Sequence, residues 1–304
     1  MLYLFILNLM LISNFLNSDA QKFFPTDSEI SEYLVIEKFV NFNGTNLILT
    51  REISYTNQEK AFIAINPETL ETFLIRDTNF IEIDGFHFED MPFTKIKNSF
   101  YNNSNTIGEF NKKEKLIQKN ALVLLTTDLC PTDKPLDTNF YKAIAETEKN
   151  TSNKIVFIIF FSGKWIEEHK NEFEWLKTNN FKFISGNHTY SHHIIKEKFP
   201  NLKLRNEIIK TEIIMLKNGL IPSCFFRFPG LKYNPENLTI LYEMNLLPLS
   251  VNFWGGQKSY PQKSILLVHS NGSVSVEVKK FIKFLKDIRT KNIKFVSPEN
   301  WFKS

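Results

Sequence analysis

Three of the chain's six histidines, His188, His192 and His193, fall within residues 186–193. His188 and His192 stand four residues apart. They follow a run, residues 181–185, that alternates apolar and polar side chains as a short strand does. Two imidazoles at that spacing can reach one metal ion from a single turn of chain. Read more plainly, they are a polar loop. Other chemically capable groups also stand at the ends of apolar runs: Asp128 in Thr126-Thr127-Asp128-Leu129-Cys130-Pro131, Arg227 in Arg227-Phe228-Pro229-Gly230, Trp254 in Asn252-Phe253-Trp254, and His269 in Leu267-Val268-His269. Singly, Asp128 reads as a helix cap, Arg227 as a surface ion pair and His269 as a satisfied core histidine. Together, at successive strand ends facing one mouth, they describe a functional site.

The elements that must position these groups follow from periodicity. Short apolar runs at residues 121–126, 154–161, 181–185, 223–227, 247–251, 264–269 and 293–296 read as seven strands. Helical patterns near residues 139–148, 167–178, 205–218, 235–244 and 276–288 lie between them. Gly219 closes the third of these, as a helix C-terminus requires. The pattern predicts an α/β fold over residues 116–304, with a parallel sheet or barrel covered on its outside. Function then belongs on the loops at the strand C-termini. Residues 21–115 differ. Short β-rich runs at 33–40, 46–53, 61–65 and 72–75 are separated by Asn43-Gly44, Asn66-Pro67 and Asp84-Gly85. They predict a small β-rich accessory region, with a polar linker over 98–111 and His87 packed between two phenylalanines.

Residues 1–16 are apolar and almost uncharged, and Ser18-Asp19-Ala20 offers small residues before a cut at Gln21. This has the form of a signal peptide over residues 1–20, with an uncleaved membrane anchor as its rival. Export to a periplasm or beyond is the expectation. The net charge of +4 is spread along the chain without a basic stripe, so nucleic acid is not an expected partner. Cys130 and Cys224 can pair in an oxidising compartment or stay as two separate thiols.

From about residue 120 to 302 the chain resembles the polysaccharide deacetylases, carbohydrate esterase family four. Leu125-Thr126-Thr127-Asp128-Leu129-Cys130-Pro131 aligns with a Thr-Phe-Asp-Asp-Gly-Pro motif. Asn187-His188-Thr189-Tyr190-Ser191-His192 is similar to the second motif, Arg227-Phe228-Pro229-Gly230 to the third and Leu267-Val268-His269 to the fifth. The resemblance implies an incomplete (β/α)7 barrel and metal-dependent removal of N-acetyl, sometimes O-acetyl, groups from a cell-envelope or extracellular glycan. It implies a divalent metal, zinc foremost, on His188 and His192. Asp128 would be the base, oriented by Arg227, and His269 the acid. Tyr190, Pro229 and Trp254 would border the substrate. Two departures stand out. The second Asp of the first motif, a metal ligand in the family, is Leu129 here, and the acids of the fourth motif are replaced by Ser250 and Phe253. The third ligand is then a group outside the family pattern (Asp133 and Asp137 lie downstream) or Asp128 itself. Alternatively the chain is a glycan-binding pseudoenzyme with a weakened or absent metal site.

Overall fold

The computed structural model describes residues 29–76, 78–83, 88–109, 115–117, 119–151, 154–194, 200–255 and 257–304. The expected leader, the Asp84-Gly85 turn and His87 lie outside them. No helix among the described residues is long and apolar enough to cross a membrane.

The chain begins with a five-stranded antiparallel sheet: β1 (Ile30–Phe42), β2 (Thr45–Tyr55), β3 (Lys60–Ile65), β4 (Thr72–Ile75) and β5 (Ile81–Glu82), in the order β4-β3-β2-β1-β5. Asn43 and Gly44 both take positive φ, at 50° and 82°, which is what the tight hairpin between β1 and β2 demands. Helix α1 (Pro92–Asn103) follows. Pro92 suits its first turn, and Phe93, Lys97 and Phe100 form its buried stripe. The linker expected over 98–111 is therefore helical as far as Asn103, and Ile107 bridges in parallel to Leu249. The run of asparagines disguised an amphipathic helix whose end is capped by Ser104 in the left-handed conformation.

After β6 (Leu116–Ile117) comes the main sheet, with its helices between the strands. In chain order the elements are β7 (Leu122–Leu129), α2 (Thr138–Thr151), β8 (Phe157–Phe161), α3 (Gly163–Glu168), α4 (Lys170–Thr178), β9 (Phe183–Asn187), α5 (Asn201–Lys217), β10 (Phe225–Phe226), α6 (Pro235–Glu243), β11 (Leu247–Pro248), β12 (Phe253–Trp254), β13 (Tyr260–Pro261), β14 (Lys263–Leu267), α7 (Ser275–Asp287), β15 (Lys294–Phe295) and α8 (Pro298–Lys303). Seven strands run in the order β11-β10-β9-β8-β7-β14-β12, β15 joins the start of β7, and every pairing in this sheet is parallel. The short β6 and β13 pair antiparallel beside it. This is the expected incomplete barrel. Residues 249–252 cross between the two ends of the path: Leu249 N–H donates to Phe226, while the Asn252 side chain accepts from Ile265 N–H and donates to the Lys263 carbonyl.

The pleat sorts side chains into two layers. Val123, Leu125, Leu129, Phe157, Ile159 and Phe161 pack outward with α2, α4 and α7 residues such as Phe140, Phe173 and Phe281. Leu124, Ile158, Phe160 and Ile265 face the barrel interior, in a cluster that also takes in Ile48, Ile65, Phe93 and Phe100 of the N-terminal part. The sheet, α1 and the barrel thus share one core. Buried charge reinforces the junction. Arg51 makes a forked pair with Glu212 at 2.8 and 3.0 Å and donates to the Met244 carbonyl, and Tyr33 donates to Glu212 at 2.8 Å.

Candidate active site

Strand β7 delivers the first group. Thr126 and Asp128 share the face opposite Leu125 and Leu129. Asp128 is buried, and Arg227 at the end of β10 donates to its Oδ1 at 2.7 Å. Arg227 is fully buried, and each of its three nitrogens donates a hydrogen bond. The same Nη1 reaches Thr126 Oγ1 at 2.9 Å, Nε donates to the Leu249 carbonyl, Nη2 donates to the Ser250 carbonyl, and the guanidinium lies 4.2 Å over the Phe160 ring. A carboxylate buried alone would favour its neutral form. Here Arg227, with help from His188 and His269, outweighs burial and holds Asp128 below its ordinary range. Its Oδ2 faces His188 Nε2 at 3.7 Å.

The histidine loop follows β9. Gly186 leaves room for the Phe160 ring beneath the site, since a β-carbon there would sit 2.6 Å from it. His188 N–H continues the ladder to Phe161, and the Asn187 side chain accepts from Thr189 N–H. Thr189 and His192 then both take left-handed φ, 65° and 56°. For a β-branched threonine that is a strained conformation. The i,i+4 pair is therefore not on a helical turn. The loop curls back on itself and brings the two imidazole centroids to 4.8 Å. Helix α3 holds the curl from one side, with Gly163 and Lys164 N–H groups donating to the Thr189 and Tyr190 carbonyls. Glu207 of α5 holds it from the other through Ser191.

The Arg227 carbonyl fixes the tautomer of His188. It can only accept, so at 2.8 Å it takes the proton of His188 Nδ1 and leaves Nε2 bare toward the site. Burial pushes the His188 pKa down to about 3, and burial also lowers His192. Both rings are thus neutral, the form that binds metal. Cys130 comes into reach of both: its Sγ and one nitrogen from each of His188 and His192 lie within 4.8 Å of one another. Asn271 donates to the Cys130 carbonyl, and His169 holds the next turn by donating to the Thr132 carbonyl. Burial, together with the Asp128 charge, pushes the Cys130 thiol well above its usual range. Two imidazole nitrogens and a sulfur are donors that zinc accepts, so the residues present fit a divalent metal.

His269, just past β14, completes the arrangement. Burial alone would lower its pKa, but its Nδ1–H donates to Glu277 Oε2 at 2.9 Å. With the charges of Glu277 and Asp128 the net effect is upward. Glu277 sits in the first turn of α7, also accepts from the His269 N–H, and is itself lowered by the pairing despite partial burial. Asp128, His188 and Arg227 are buried, whereas Cys130, His192 and His269 are half-exposed, so the cluster opens on one side.

Of the sequence-predicted residues, the structure brings together Asp128, His188, His192, Arg227 and His269. It places others elsewhere. Tyr190, expected beside substrate, donates to Glu167, and its ring packs under Lys210 against Gly163. Pro229 is buried at the start of a short 3-10 turn. Trp254 pairs with Leu267, two residues before His269, and its neighbour Phe253 takes the outward face. Asp133 is exposed beside Lys134, and Asp137 caps Asn139, so neither joins the cluster. His193 is exposed. The two cysteines are unpaired. Cys224 is buried against the Leu70 carbonyl, and Cys130 lies at the histidines. Sequence reasoning passed over Cys130 as a site residue and Glu277 altogether. Signals for both existed: Thr126 and Asp128 alternate along β7 with Cys130 the next in step just past its end, and Glu277 opens the helix that follows His269.

The profile of a family described as polysaccharide deacetylase matches residues 95–248, from within α1 to the end of β11. Among solved structures, a family 4 carbohydrate esterase from Bacillus anthracis is 20% identical, with a TM-score of 0.52 over 68% of this chain and 91% of that one. A peptidoglycan N-acetylglucosamine deacetylase is 26% identical, with a TM-score of 0.48 over 62% of this chain and 91% of that one. A mutant of a pseudoenzyme of the same esterase family, with restored enzymatic activity, is 16% identical, with a TM-score of 0.47 over 88% and 93%.

Proposed function

We propose that this chain, which belongs to the polysaccharide deacetylase family, hydrolyses acetamide groups of a cell-envelope or extracellular glycan at the cluster around Asp128. The observation that carries this reading is the position of Asp128, with one carboxylate oxygen on Arg227 and the other facing the bare Nε2 of His188.

His188 and His192 would hold a divalent metal, zinc first among candidates. When bound, such an ion supplies Lewis acidity toward the acetyl carbonyl and lowers the pKa of a water. Asp128, kept ionised by Arg227, takes the proton of the attacking water at Oδ2. Arg227 spends its donors on Asp128, Thr126 and two backbone carbonyls, so it acts by positioning. His269 keeps its Nδ1 on Glu277 and gives its Nε2 proton to the departing amine. The apolar leader of residues 1–20 fits delivery to a periplasm or the cell exterior, where such glycans lie.

Incubating the purified chain with zinc and N-acetylated oligosaccharides tests the reading. Acetate and free amine should appear together in equal amounts; a folded, metal-loaded chain that releases neither from any acetylated glycan contradicts it. Leu129, turned into the outer apolar layer, favours a second reading as a glycan-binding protein with a weakened or absent metal site. Equilibrium zinc binding separates the two, because only the first requires one tightly held ion per chain.

A further inference from the structure

We infer that Cys130 supplies the third protein ligand of this metal site, as a thiolate where the family resemblance puts a carboxylate. The inference rests on the metal-dependent reading above and deepens it. Among the described residues, the Cys130 Sγ and the two imidazole nitrogens are the set of donors that converge within 4.8 Å.

No carboxylate of the described residues joins that set. Asp128 gives one oxygen to Arg227, Asp133 stands in solvent beside Lys134, and Asp137 caps α2. The position aligned with the family ligand, Leu129, is fully buried in the outer layer with Phe161 and Trp165. Ligands about 2.0–2.3 Å from a tetrahedral ion stand roughly 3.3–3.8 Å apart. The two half-exposed members, Cys130 and His192, can close that small gap by side-chain rotation, while the Arg227 carbonyl keeps His188 fixed.

Binding breaks the S–H bond: the sulfur keeps the electron pair for the metal and the proton leaves to solvent. A three-ligand set of two imidazoles and a thiolate leaves a fourth position free, as catalytic zinc sites do. It also sets the choice of metal. Thiolate sulfur favours zinc and cobalt over magnesium and manganese, which prefer oxygen.

Cobalt(II) loading of the full chain tests this without any activity measurement. A sulfur-to-cobalt charge-transfer band in the near ultraviolet is expected. X-ray absorption of the zinc form should show one sulfur at about 2.3 Å beside nitrogens at about 2.0–2.1 Å. Cys130→Ser should abolish the band and weaken zinc binding by more than the roughly 10–100-fold cost of losing a supporting partner. Cys130→Asp should restore zinc binding without the band, and Cys224→Ser should keep both. Metal bound in a His188-dependent way with no sulfur in its shell overturns the Cys130 assignment and leaves the proposed function standing. A folded wild-type chain that binds no metal overturns both.

Discussion

At the scale of single residues, the site is a set of charge assignments, and each makes a separable prediction. Arg227 and Asp128 are both buried and paired at 2.7 Å. Removing one partner of such a pair typically costs about 3–5 kcal/mol, because the other charge is left stranded. Arg227→Met should therefore lower the unfolding free energy by that order as well as reduce turnover, as urea titration with parallel rate assays will show. Glu277 predicts a pH effect with a definite sign. Its carboxylate raises His269, so the acid form of His269 persists to higher pH than an isolated histidine allows. In Glu277→Gln the alkaline limb of kcat/KM should move to lower pH, while a purely structural role for Glu277 would lower the rate without moving that limb. The sequence disclosed Asp128, His188, His192, Arg227 and His269 because each stands at a strand end. Cys130 stood in the first motif with no role assigned to it. Glu277 was hidden because its partner is fixed only when α7 folds back across β14.

At the scale of elements, the histidine loop depends on close approaches that few sequences permit. Gly186 lies where a β-carbon would meet the Phe160 ring at 2.6 Å, and that ring in turn supports the Arg227 guanidinium. Gly186→Ala should cost roughly 1–3 kcal/mol through overpacking. Since it displaces the floor of the site, it should also weaken zinc binding, which isothermal titration measures directly. The strand and helix order of the barrel was legible from periodicity, down to the helix end at Gly219. Helix α1 was not, since its asparagines carry no helical signal and its Phe93 and Phe100 find their partners only in the barrel core. The loop geometry was not legible either. The spacing of His188 and His192 allowed convergence from one turn of chain, and left-handed backbone at Thr189 and His192 is what achieves it.

At the scale of the whole molecule, the N-terminal sheet acts as a wall of the barrel's core. Ile48 and Ile65 share a cluster with barrel residues such as Phe225 and Leu247, and the Arg51–Glu212 pair is sealed between them. A truncated chain beginning at residue 116 should therefore fail to fold, while the full chain should unfold in one cooperative transition by calorimetry. Two separate transitions, or a soluble and active truncated barrel, would count against a shared core. The β-rich character of residues 21–115 was plain in the sequence. Its integration was not, because it rests on a buried Arg and Glu whose sequence separation is 161 residues.

One variant tests most directly the proposed role of Asp128, removal of a proton from water at a metal site built on His188 and His192. Asp128→Asn keeps the shape of the site and leaves both histidines in place. Measured on an N-acetylated oligosaccharide with zinc content determined in the same sample, it should retain one zinc per chain while acetate release falls by roughly 10²–10⁴-fold. Zinc-loaded Asp128→Asn releasing acetate at the wild-type rate would contradict the account.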